Sequence, residues 1–135
     1  MADEKKRVLY IDDEPEMVEL VRLILGRKGY QVSGANGGRE GLAAMRQDPP
    51  HLVLLDLMMP EMDGWEVYQQ MKANDATRDI PVIVITAKAQ SIDKVLGLHI
   101  AKVEGYISKP FASQELMENV DRVIAEHERI GPKPS

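Results

Sequence analysis

Two apolar runs that each end in a carboxylate limit what this chain can fold into. Leu52-Val53-Leu54-Leu55 is followed at once by Asp56, and Val8-Leu9-Tyr10-Ile11 by Asp12 and Asp13. Short runs without polar alternation belong to strands covered on both faces. Sheets built from such strands are parallel, and their ligands sit outside the carboxyl ends of the strands. Two strands therefore deliver three carboxylates to what the pattern predicts is one edge of one sheet. Their mutual repulsion calls for a cation.

Strand and helix signals alternate along the rest of the chain. Strands are expected at Arg7–Ile11, Tyr30–Ala35, Leu52–Leu55, Pro81–Ile85 and, less apolar and so at the sheet edge, Glu104–Ser108. The first helix opens at Pro15, where a missing N–H costs nothing, and its apolar positions Met17, Leu20, Val21 and Ile24 follow helical spacing. Gly29 is its stop. Further helices are expected over Arg39–Gln47, over Trp65–Ala73 after Asp63-Gly64, from Ser91 to about His99, and from Ser113 onward with Leu116, Val120 and Val123 inward. Trp65, Tyr68 and Met71 at helical spacing read as packing, and the scattered His51, His99 and His127 do not form a site. The fold expected is α/β: a doubly wound, five-stranded parallel sheet of order 2-1-3-4-5 with five flanking helices. With 135 residues, one domain over 1–129 and a disordered tail over 130–135 account for the chain.

Composition removes several function classes. There is no cysteine, so thiolate metal sites, disulfides and cysteine nucleophiles are excluded. A net charge of −5 argues against nucleic-acid binding by this chain. The apolar runs are too short for a membrane span and the N-terminus lacks a signal peptide's apolar core, so the default expectation is cytoplasmic.

The residues at the strand ends carry the chemistry. They are Asp12 and Asp13 after the first strand, Asp56 after the third, Thr86 after the fourth and Lys109 just past the fifth. Strands one and three are neighbours in the expected order, so these side chains can converge on one shallow pocket. Carboxylate oxygens suit Mg2+, an aspartate can hold a phosphoryl group as an acyl phosphate, and a lysine supplies a point charge for a phosphoryl oxygen.

Asp12-Asp13, Asp56 with Met59-Pro60 and Asp63-Gly64, Thr86-Ala87 and Lys109-Pro110-Phe111 together resemble the receiver domain of bacterial two-component response regulators, over about Lys6 to Glu126. The resemblance implies a flavodoxin-like fold and a phosphorelay function. Asp56 would accept a phosphoryl group from a sensor histidine kinase or phosphotransfer protein. Asp13, Asp56 and the Met58 main-chain carbonyl would bind Mg2+ directly, and Asp12 largely through water. Thr86 and Lys109 would hold phosphoryl oxygens, and Tyr106 would turn inward as the switch aromatic.

The same resemblance implies a cis Lys109–Pro110 bond. It also implies a partner or homodimer face made by helix four, strand five and helix five. Beyond its own phosphorylation and slow self-dephosphorylation no enzyme activity is expected, and no output domain is read in this chain. Lys102 departs from the family pattern, which has glycine there in many relatives. Two other classes fit the sequence less well. A small aspartyl-nucleophile phosphatase would want an acid where Met58 stands. A flavodoxin-like redox carrier would want a Ser, Thr and Gly-rich phosphate loop in place of Asp12-Asp13-Glu14.

Overall fold

The structure is a computed structural model, and it describes residues 5–87 and 103–130. Five strands, β1 (Arg7–Ile11), β2 (Gln31–Ala35), β3 (Leu52–Leu55), β4 (Val82–Ala87) and β5 (Gly105–Lys109), form one sheet. The order is β2-β1-β3-β4-β5 with every pairing parallel. Four helices are described: α1 (Pro15–Gly26), α2 (Gly38–Gln47), α3 (Gly64–Ala73) and the C-terminal helix (Ser113–Ile130). The helix expected over Ser91–His99 lies outside the described residues, as do Lys102 and 131–135.

Alternation along the strands builds two cores. Val8, Tyr10, Leu52, Leu54, Ile83, Ile85 and Ile107 pack under α1 and the C-terminal helix. Leu9, Ile11, Val53, Leu55, Val82 and Val84 face α2 and α3. Successive side chains point to opposite faces, so a strand between two helical layers must be apolar at every position. Each such Leu or Ile contributes roughly 1.5–3 kcal/mol by leaving water. No described helix is long and apolar enough to cross a membrane.

Several local expectations shift. The buried stripe of α1 is Val18, Val21, Ile24 and Leu25, whereas Leu20 is 43% exposed and Met17 only half-buried. The helix is rotated so that Val18 nests on β2: a Cβ at Gly34 would lie 2.4 Å from Val18 Cγ1. α1 stops at Gly26, three residues before the expected stop, and Gly29 closes the turn that follows in the left-handed region at φ +91°. Strands β4 and β5 each run further than expected, because pairing continues through Thr86↔Ser108 to Ala87↔Lys109. Thr86 and Lys109 are thus inside their strands rather than just past them. Glu104 stands before β5 and fastens it, its N–H donating to the Val82 carbonyl (2.9 Å) and its Oε1 accepting from the Val82 N–H (2.8 Å).

Tyr68 and Met71 are buried, and Trp65 meets Tyr68 edge-on at 5.8 Å, a packing role for that helical stripe. His51 is structural: its Nδ1 accepts from the Arg7 N–H at 2.9 Å and ties the starts of β1 and β3. The C-terminal helix reaches Ile130, one residue into the segment expected to be tail.

Candidate functional site

The ladder itself aims the carboxylates. The Asp12 N–H donates to the Ala35 carbonyl and the Asp56 N–H to the Ile11 carbonyl, both at 3.0 Å. Each aspartate is therefore the first residue beyond a run of four buried strand residues, at the point where the chain passes from β1 outward to β2 on one side and β3 on the other. One oxygen from each of Asp12, Asp13 and Asp56 lies within 4.8 Å of the others. Asp12 is 0% and Asp56 3% exposed. Buried charges at this spacing need a counter-charge.

Lys109 supplies part of it. From the end of β5 its Nζ donates to Asp12 Oδ2 at 2.8 Å and stands 3.5 Å from Asp56 Oδ2 and 3.4 Å from Glu14 Oε1. Burial alone would lower the Lys109 pKa, but the Asp12 hydrogen bond, the charges of Asp56 and Asp12 and the Glu14 contact raise it above the ordinary value. One cation among three aspartates leaves the cluster negative. Three hard oxygen donors converging within a few ångströms, at a partly open edge, fit a small divalent cation that keeps most of its waters. Mg2+ suits such a donor set.

The loop after Asp56 is held tightly. The Met58 N–H donates to Asp56 Oδ1 at 3.0 Å, while the Met58 side chain is half exposed. Asp63 caps α3, its side chain accepting from the Glu66 N–H at 2.9 Å. Behind it, Gly64 is pressed against the loop: a Cβ there would lie 2.4 Å from the Asp56 carbonyl oxygen. The Lys109–Pro110 bond is cis. Thr86 sits in β4 opposite Ser108, and Tyr106 sits two rungs lower opposite Val84, half-buried against the core shared with α2 and α3.

Asp12, Asp13, Asp56 and Lys109 are thus brought together. Thr86 and Tyr106 lie on the adjoining strands β4 and β5. Two participants escaped the sequence reading. Glu14 extends the acidic set to Lys109, and Tyr10, fully buried, donates its hydroxyl to Asp12 Oδ2. A phenol within the apolar run Val8–Ile11 was the available signal, since a buried Tyr O–H needs an acceptor. A separate cavity of about 230 Å³, lined by Lys6, His51, Asp79 and His127 among others, opens at the opposite edge of the sheet, away from these carboxylates.

Residues 8–121 match the response regulator receiver domain family. The chain belongs to that family. This receiver domain is 38% identical over 124 residues to the DNA-binding dual master transcriptional regulator RpaA of Synechocystis, covering 92% of this chain and 51% of that protein. It is 35% identical over 127 residues to the alkaline phosphatase synthesis transcriptional regulatory protein PhoP of Bacillus subtilis, covering 94% and 52%. The chain spans about half the length of these relatives.

Among solved structures, the N-terminal domain of a response regulator receiver protein from Methanoculleus marisnigri is 40% identical with a TM-score of 0.71, covering 88% of this chain and 96% of that one. The chemotaxis protein CheY4 of Vibrio cholerae superposes with a TM-score of 0.79 at 27% identity, covering 89% and 99%. The receiver fold read from the sequence is therefore the one present. It is the receiver module of two-component response regulators.

Proposed function

We propose that this receiver domain takes a phosphoryl group from a histidine kinase or phosphotransfer protein onto Asp56 and thereby switches a partner-binding surface. The observation that carries the reading is Asp56 itself. It is nearly buried, its Oδ1 accepts from the Met58 N–H, its Oδ2 stands 3.5 Å from Lys109 Nζ, and one of its oxygens lies within 4.8 Å of one each from Asp12 and Asp13. One oxygen is thus held by the backbone and the other lies beside the Lys109 ammonium, the disposition a carboxylate nucleophile needs.

Bound Mg2+ would neutralise the incoming phosphoryl oxygens. Asp13, Asp56 and the Met58 carbonyl would hold it, with Asp12 reached through water. Lys109 orients and neutralises a phosphoryl oxygen from its position between Asp12 and Asp56. Thr86 would take a further phosphoryl oxygen, and Tyr106 on β5 would follow Thr86 inward. That change would bias the surface formed by β5 and the C-terminal helix toward a partner or a second copy. The chemistry is confined to self-phosphorylation and slow self-dephosphorylation. The long-lived acyl phosphate rests on Met58, whose half-exposed side chain has no group to orient an attacking water.

Incubation with Mg2+ and acetyl phosphate, followed by intact mass, tests this directly. A single phosphoryl adduct is expected, lost in chelator and lost in Asp56→Asn. Labelling of Asp56→Asn at the wild-type rate would remove Asp56 as acceptor.

A further inference from the structure

Asp12 is the most deeply buried charge in the site, and its oxygens are already spoken for. Oδ1 accepts from the Glu14 N–H at 2.9 Å, and Oδ2 is shared between Lys109 Nζ at 2.8 Å and the Tyr10 hydroxyl. The two donors on Oδ2 differ in kind. Lys109 arrives on a long flexible side chain from the sheet's far edge. Tyr10 is rooted at 0% exposure in the core cluster that also holds Val18, Val21 and Leu54, and its strand is paired on both sides, to Gly34 and Leu54. Gly34 has no side chain, and α1 fills the space over it through Val18. The phenol has no freedom to follow a change at the site, and burial together with the Asp12 carboxylate holds it protonated well above the ordinary tyrosine range.

Phosphorylation makes a demand on this pair. If Asp56 carries the phosphoryl group, Lys109 must turn from Asp12 Oδ2 toward a phosphoryl oxygen, and a carboxylate at 0% exposure is left without its ammonium. We infer that Tyr10 is a positioning residue for the phosphorylated state: its fixed hydroxyl remains on Asp12 Oδ2 and lets Lys109 leave. The inference rests on the phosphoacceptor reading above. It adds a residue on β1, on the core side of the sheet, whose work appears only when Lys109 is drawn away. In the resting state the same hydroxyl is a duplicate donor, so its removal is tolerated there. In the phosphorylated state its removal leaves a buried anion oxygen short of a donor, a deficit that shifts an equilibrium by about tenfold.

The test compares the wild-type chain with Tyr10→Phe, which keeps the ring and deletes only the oxygen. Each is titrated with beryllium fluoride in Mg2+, a stand-in for the phosphoryl group, and followed by melting temperature and Trp65 fluorescence. Wild type binding the mimic is the condition set by the phosphoacceptor reading, so its failure to bind refutes that reading and the inference with it. Given wild-type binding, Tyr10→Phe is expected to bind the mimic about tenfold more weakly. Its mimic-free melting curve should stay close to wild type. A variant that melts lower but gains the full wild-type increment from the mimic has lost packing alone, and that result overturns the inference. So does unchanged mimic affinity. A second measurement needs no variant: the buried Tyr10 hydroxyl proton, sought by NMR in wild type, should remain slowly exchanging after the mimic is added. Its disappearance on adding the mimic would mean that Tyr10 lets go, and would equally overturn the role.

Discussion

Replacing Lys109 by methionine removes the ammonium and keeps most of the apolar stem. Its Nζ lies 2.8 Å from Asp12 Oδ2 and 3.5 Å from Asp56 Oδ2, with the lysine side chain 14% exposed and those of Asp12 and Asp56 at 0% and 5%. A unit pair at the shorter distance attracts by about 6 kcal/mol at an effective dielectric near 20. Desolvation of the lysine offsets part of that, and removing one partner of a buried pair costs about 3–5 kcal/mol. The low end applies because the site's edge admits water, so Lys109→Met should lose about 3 kcal/mol in chelator, a fall in Tm of about 12 °C for a domain of this size. Urea unfolding in chelator measures it. If the loss comes from stranded carboxylates, Asp12→Asn added to Lys109→Met should recover about 2 kcal/mol by the coupling of a contacting pair. A double variant no more stable than Lys109→Met alone would refute the reasoning, because the lysine would then be neutralising something other than Asp12.

Mg2+ at about ten times its Kd should stabilise the wild-type chain by about 1.4 kcal/mol. Asp13→Asn should melt higher than wild type in chelator, through relief of repulsion, yet lose most of the Mg2+ increment; an undiminished increment would remove Asp13 as a ligand. Gly64→Ala puts a Cβ 2.4 Å from the Asp56 carbonyl oxygen and 2.7 Å from Leu57 Cα, both backbone atoms that cannot swing aside. It should cost about 2 kcal/mol and slow acetyl phosphate labelling, and a variant with wild-type melting and labelling would show that the loop gives way freely.

Alkali should unfold the chain early. Burial first, and then the Glu104 charge, pushes Tyr68 up to about 12, and Tyr10 and Tyr30 are raised further in the same direction, while Lys109 is raised by its carboxylate neighbours against its burial. Folded groups that keep their protons longer than unfolded ones contribute stability that is complete below about pH 10 and is lost as pH rises through their folded values. The urea midpoint should therefore fall from about pH 10 upward, with tyrosinate absorbance rising in step with unfolding; a flat midpoint between pH 10 and 12 would contradict these shifts.

The sheet was legible in the sequence because its signals are local and redundant. Leu52–Leu55 and Val8–Ile11 have no polar position, which only a two-sided parallel strand tolerates, and Pro15, Asp63 and Gly64 mark the places where helices start. Asp12, Asp13 and Asp56 were legible for the same reason, since a carboxylate ending a buried run is costly unless it is used. Strand ends were harder. Whether Thr86 and Lys109 lie inside or beyond their strands depends on β4 and β5 pairing with each other, which neither run states alone.

The rotation of α1 was also out of reach. Met17, Leu20, Val21 and Ile24 and the stripe Val18, Val21, Ile24 and Leu25 both have helical spacing, and the choice falls to Val18 seated over Gly34 on a strand that follows in the chain. Tyr10 is the sharpest case. By composition it is one more apolar residue of β1, and only the folded chain sets its hydroxyl on Asp12 beside a lysine from 97 residues away. Periodicity along one segment fixes which residues are buried and where a strand ends in charge. Which partner a buried polar atom meets is decided between segments, because a hydrogen bond needs an ångström-scale placement that exists only once the sheet and its helices have closed.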